Sequence, residues 1–204
     1  CNASITVVDT IAPTALAQNV TVQLNASGVG TLAASQVDNG SSDACGTVSL
    51  AISQTSFSCN EIGSGVAVTL TVTDGSNNTS TANAIVTVQD NVAPIASAQN
   101  ATVYLDANGD ASITTSQINN GSSDNCAIDT MYLSNYNFDC NNLGSGNTVT
   151  LTVEDVNGNS ATTNASVTVV DNTTPTVLVQ NHTVYLDANG SATIAVNDID
   201  NGSS

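Results

Sequence analysis

Short runs of alternating apolar and polar residues, separated by turn residues, fill this chain from end to end. A period of two is the mark of a half-buried β-strand. Between residues 93 and 173 the pattern is plainest. Ala101–Leu105 alternates, Asn108-Gly109 turns, and Ala111–Thr114 alternates again. An Asn-Gly pair between two such runs is a strong hairpin signal. Ile128–Ser134 follows, then a short strand ending at Cys140, then Thr148–Val153, the turn at Asn157-Gly158, and Ala165–Val169. With the short segment after Pro94 this predicts about seven strands in roughly 80 residues. No helical period of useful length competes. The predicted fold is all-β, an Ig-like sandwich. Val149, Leu151 and Val153 are expected to face the core with Thr148, Thr150 and Thr152 outward, and Phe57 and Phe138 are the expected large core residues.

The same pattern recurs at a fixed interval. Cys45 returns as Cys126 and Cys59 as Cys140, each 81 residues later, and Pro13, Pro94 and Pro175 keep that spacing. Regular self-similarity of this kind defines tandem repeats. Residues 11–92 and 93–173 read as two complete Ig-like repeats. Residues 1–10 match the last strand of a preceding repeat, and 174–204 match the first third of another. We expect further repeats on both sides.

Composition narrows the function. The chain has 17 carboxylates, one His and no Lys or Arg, for a formal charge of −17. Nothing can neutralise phosphates, so nucleic acid and anionic membrane surfaces are excluded as partners. No apolar run is long enough to span a bilayer, so direct membrane insertion is not expected. The carboxylates need solvent cations or bound metal, and calcium is the ion that suits carboxylate and carbonyl oxygens.

Three carboxylate positions recur in every copy that contains them. Asp9, Asp90 and Asp171 lie between the last strand and the proline. Asp74 and Asp155 open the turn before that strand, and Asp43 and Asp124 sit beside the first cysteine. Each is a candidate calcium ligand; the alternative is a turn cap, the Asp side chain accepting from nearby backbone amides. Asp106–Asp110 resembles an EF-hand opening, but Gln117 stands where the loop needs its Glu, so a hairpin turn is expected there. Tyr104 and Tyr185 should point outward, and Gln23 occupies their place in the first repeat.

Four cysteines obey the repeat. An array that must work in every copy favours pairing within each repeat, so Cys45–Cys59 and Cys126–Cys140 are the expected disulfides, which imply an oxidising, extracellular setting. Cys1 has no equivalent. His182 aligns with Val20 and Ala101, so no repeated chemistry can use it; without another His, and with no Lys or Arg, no Ser-His-Asp, Cys-His or Ser-Lys arrangement is expected, and no enzyme activity.

At the junctions, Asp155-Val-Asn-Gly-Asn159, Val167-Thr-Val-Val-Asp171 and Pro175 resemble the end of a hyalin (HYR) repeat. Asp74–Asn78, Val86–Asp90 and Pro94 give the same phrase one repeat earlier. The usual HYR cysteine positions near the junction are absent, and the pair sits mid-repeat instead. This variant is similar to arrays in giant cell-surface proteins of Bacteroidota, including gliding-motility adhesins exported by type IX secretion. The resemblance implies a cell-surface stalk or filament whose partners are neighbouring repeats of the same chain. The alternatives are an array that binds surface polysaccharide or another partner, and a filament that assembles laterally with its like.

Overall fold

The computed structural model describes residues 3–203. Twelve strands and three single-turn helices account for nearly all regular structure. In the first repeat these are β1 (Val20–Gln23), β2 (Val29–Thr31), α1 (Ala34–Val37), β3 (Ser49–Ile52), β4 (Ser56–Ser58), β5 (Val66–Thr73) and β6 (Thr79–Gln89). In the second they are β7 (Ala101–Tyr104), β8 (Asp110–Ser112), α2 (Thr115–Ile118), β9 (Ile128–Leu133), β10 (Asn137–Asp139), β11 (Gly144–Asp155) and β12 (Ser160–Val170), with α3 (Val196–Ile199) near the end. Each repeat therefore carries six strands. The segment after the proline is held by isolated bridges, Thr14 to Ser42 and Ala17 to Asp38 in one copy and Ile95 to Ser123 and Ala98 to Asn119 in the next.

The first repeat is a β-sandwich. One sheet has the order β1-β6-β5-β3, with β1 parallel to β6 and the remaining pairs antiparallel, and β2 pairs with β4 in the second sheet. The second repeat repeats that order as β7-β12-β11-β9 and β8-β10. Alternation explains the core. Val68, Leu70 and Val72 of β5 are sealed from solvent, as are Val149, Leu151 and Val153 of β11. Phe57 and Phe138 are buried, while Tyr104 and Tyr185 are exposed.

The single-turn helices lie below any useful periodicity. In α1 the Gln36 side chain accepts from the Ala33 N–H at 2.8 Å, and Val37 is fully buried. A helix of four residues gives sequence reading no repeated face to detect.

The described residues divide into two compact units, one of residues 3–99, 115–135 and 149–165, the other of residues 100–114, 136–148 and 166–203. The first holds the whole sandwich of the first repeat, with α2, β9 and parts of β11 and β12. The second holds β7, β8, β10 and everything from Ser166 onward. Within it, Val184 and Leu186 are exposed where their equivalents Val103 and Leu105 are buried. An alternating strand defines an apolar face, but burial also needs a sheet to receive it.

Candidate functional site

The end of β6 delivers Asp90 to a buried position. Asp90 Oδ1 accepts from the Val92 N–H at 3.0 Å and from Asn125 Nδ2 at 3.1 Å. Asn125 belongs to the loop before β9, so the last strand of one repeat is hydrogen-bonded to the next repeat. The same amide reaches the Asn25 carbonyl at 3.2 Å.

Beside it runs the disulfide, where the structure corrects the expected pairing. Cys59 is bonded to Cys126, 67 residues on, and Cys45 and Cys140 are free and exposed. The bond links one repeat to its successor. The reason is positional. Cys59 begins a 310 turn after β4 and lies against the Gly28 hairpin, 3.9 Å from the Gly28 carbonyl. The Asp124–Cys126 loop enters that hairpin from the following repeat. Periodicity is satisfied equally by pairing within a copy or between adjacent copies, so it could not choose.

Gly28 makes the approach possible. Its φ is +71°, and a Cβ there would lie 2.6 Å from the Asn125 carbonyl oxygen and 3.0 Å from Cys59 Sγ. Gly109, the equivalent, also has positive φ, but a Cβ there would meet only Cys140 Sγ, at 2.8 Å. Gly28→Ala should therefore leave Cys59 and Cys126 open to alkylation in a large share of molecules. Gly109→Ala, with the same backbone penalty, should leave that pair protected. Mass spectrometry after alkylation reads both, and equal labelling would contradict the role given to Gly28.

Of the predicted carboxylates, Asp90, Asp124 and Asp155 come together, each offering an oxygen within 4.8 Å of the others. Asp90 and Asp155 are buried. Asp124 Oδ2 accepts from the N–H groups of Cys126 and Ala127, at 2.8 and 3.1 Å. Asp155 Oδ1 accepts from the N–H groups of Asn157 and Asn159, and Oδ2 from Asn159 Nδ2 at 2.7 Å. Burial pushes the Asp155 carboxyl up, but the Asn159 amide and these backbone N–H groups outweigh it and hold the group below the ordinary range. It is an anion at neutral pH.

Two oxygens of this cluster, Asp90 Oδ2 and Asp124 Oδ1, are shut off from solvent with no hydrogen-bond partner, as are the neighbouring amide oxygens of Asn125 and Asn157. An acceptor buried without a donor is costly. The sequence holds no Lys or Arg to satisfy it. The donor set, carboxylate and amide oxygens on loops, fits a hard cation.

One repeat earlier the cysteine takes the place of the third carboxylate. Asp9 and Asp43 lie within 4.8 Å of each other and of the Cys45 sulfur. Asn78 Nδ2 bonds both the Asp9 carbonyl and Asp74 Oδ2, as Asn159 bonds Asp90 and Asp155. The Asp9 carboxylate, by its charge and then by hydrogen bonding, raises the Cys45 thiol above its usual value, with Asp43 and Asp74 adding to it. Among the described residues Asp171 belongs to no such group of three ligands. It accepts from the Thr173 hydroxyl and N–H, which hold it below the usual carboxylate range. Sequence reading missed Asn125, Asn159 and Gly28. Asn78/Asn159 and Gly28/Gly109 do recur at the repeat interval, the one signal that could have found them.

No family model matches the chain, and no curated protein sequence matches it. Solved structures similar to it are extracellular-type repeat domains of cadherin and Ig architecture. The protocadherin gammaB7 EC3-6 cis-dimer structure is 19% identical over 91% of this chain, with a TM-score of 0.36. Human mucin-like protocadherin EC1-2 is 14% identical over 76% of this chain and 96% of its own, with a TM-score of 0.34. The Ig1-2 module of Drosophila receptor protein tyrosine phosphatase DLAR is 11% identical over 78% of this chain and all of its own, with a TM-score of 0.23. This chain spans 56% of the gammaB7 chain. Among the described residues no helix is long and apolar enough to cross a membrane.

Proposed function

We propose that this chain is part of an extracellular tandem-repeat array that serves as the stalk or spacer of a cell-surface adhesin. The observation that carries the proposal is the Cys59–Cys126 bond, which joins one repeat covalently to the next. A spacer must resist extension and bending at its junctions, and a cross-link there serves that need directly. A structural disulfide also fits an oxidising compartment outside the cytosol. The HYR-like junction phrases support the finer reading, a surface protein of the kind that Bacteroidota export for adhesion and gliding.

A sugar-binding array is the weaker alternative. Tyr104 and Tyr185 are exposed, but in the first repeat Gln23 stands in their place and its amide bonds Gln89 at 2.8 Å. Among the described residues no exposed aromatic is common to all the copies. Catalysis forms no part of the proposal.

Calcium belongs to the same reading, held at the junction by Asp90, Asp124 and Asp155. A ligand that binds only the folded state stabilises it by about 2.7 kcal/mol at a hundred times its Kd. Millimolar calcium is therefore expected to raise the melting temperature of the oxidised chain by several degrees over EDTA. Asp90→Asn, nearly the same shape without the charge, should abolish the rise. Equal melting in calcium and EDTA would remove the metal and leave Asp90 as a junction hydrogen-bond acceptor.

A further inference from the structure

An open cavity of about 560 Å³ lies beside Cys140 within the second unit and is walled by Asp106, Asn108, Gly109, Cys140, Asp171 and Thr173 among others. Each of these residues stands 81 positions after one at the cross-linked junction. Asp106 corresponds to Asn25, Gly109 to Gly28, Cys140 to Cys59, Asp171 to Asp90 and Thr173 to Val92. At that junction the equivalent space holds the Asp124–Cys126 loop. Asn125 Nδ2 bonds the Asn25 carbonyl and Asp90 Oδ1 there, its own carbonyl packs over Gly28, and Cys126 is bonded to Cys59.

The open cavity keeps the same posture. Cys140 Sγ lies 3.8 Å from the Gly109 carbonyl, as Cys59 Sγ lies 3.9 Å from that of Gly28. Asp171 Oδ1 accepts from the Thr173 N–H at 2.8 Å, as Asp90 Oδ1 does from that of Val92 at 3.0 Å. Gly109 has a φ of +84°, and no backbone atom lies within 4 Å of where its Cβ would be. Cys140 is exposed and free.

We infer that this cavity is a socket for an Asp-Asn-Cys loop presented by another repeat, and that Cys140 closes on it as a disulfide. The inference stands on the geometry of the Cys59 junction, whatever the array does at a surface. The loop's Asn donates its side-chain amide to Asp171 and to the Asp106 carbonyl. Its cysteine then exchanges with Cys140. If the incoming cysteine arrives as a mixed disulfide with a small thiol, the Cys140 thiolate attacks it and a new protein disulfide forms. The small thiol leaves as thiolate and takes up the proton that Cys140 released. Starting from two free thiols, two electrons and two protons pass instead to a low-molecular-weight disulfide, which is reduced to two thiols.

The test uses the full chain and a synthetic peptide of residues 119–130, its cysteine carried as a mixed disulfide with glutathione. A scrambled peptide of the same composition, and one bearing Asn125→Ala, are prepared the same way. Lacking Lys and Arg, the chain is cut with an Asp-specific protease, and mass spectrometry locates the adduct. Two hydrogen bonds of ordinary strength correspond to about tenfold in rate or occupancy. The native peptide is therefore expected to transfer to Cys140 about tenfold faster than the scrambled or Asn125→Ala peptide. The exposed Cys45, which is the repeat equivalent of Cys126 rather than of Cys59, should show no preference among the three. Equal transfer of all three peptides to Cys140, or transfer of the native peptide to Cys45 alone, would overturn the assignment. Because the chain remains folded and oxidised at Cys59–Cys126 throughout, a negative result cannot be ascribed to misfolding.

Discussion

Cys126→Ser is expected to lower the stability of the cross-linked unit by roughly 4 kcal/mol, the chain-entropy value for closing a loop of 67 residues. For a chain of this size that corresponds to a fall of roughly 10 °C or more in melting temperature. Cys59→Ser should do the same, and dithiothreitol should reproduce the loss in the unaltered chain. Cys45→Ser and Cys140→Ser should change the melting temperature by less than a degree or two, since both thiols are exposed and unbonded. The four single variants separate the inter-repeat bond from pairing within each repeat. If the bonds closed within each repeat, Cys45→Ser would be as damaging as Cys59→Ser, and that result would refute the inter-repeat bond.

The contrast between the two pairings shows where sequence reasoning stops. Strand positions were legible because alternation is a local signal. Val149, Leu151 and Val153 alternate with threonines, and the structure buries the first three. The carboxylate positions were legible as well, because Asp90, Asp155 and Asp124 each recur with the repeat. Their convergence was not legible. Asp90 closes one repeat while Asp124 and Asp155 belong to the next, and a fixed period carries no information on whether a residue meets partners in its own copy or in its neighbour. The cysteines failed for that same reason. Asn125 was invisible on other grounds, since Ala44 occupies its place in the first repeat. A junction residue need only be present where a preceding hairpin receives it.

The junction also shows how an aromatic-poor protein obtains rigidity. Among the described residues its cores are built mostly of Val, Leu, Ile and Ala, with the two phenylalanines as their only aromatic members. A cross-link acts on the unfolded chain by restricting it, whereas packing acts on the folded one. A repeat that uses both can remain small and still be stable. The cation proposed at Asp90, Asp124 and Asp155 would act at that same junction through charge.

Phe57→Ala should accordingly be the most damaging core substitution in the first repeat, at about 3–5 kcal/mol. Phe57 lies on the three-residue strand β4, directly across from Gly30, and is 1% exposed. The space opposite it is already filled. A Cβ on Gly30 would come within 2.4 Å of Val22 Cγ1. The glycine is small because the Val22 side chain occupies its place, so no neighbour is free to collapse into the hole that alanine would leave. Strand pairing of β4 with β2 holds the backbone apart as well. Denaturant unfolding of the oxidised chain, with Cys59–Cys126 intact in both proteins, measures the packing effect alone. A loss below about 1 kcal/mol would mean that the site repacks. The core would then be looser than the sealed positions of Val68, Leu70 and Val72 indicate, and the cross-link would carry most of the stability of this repeat.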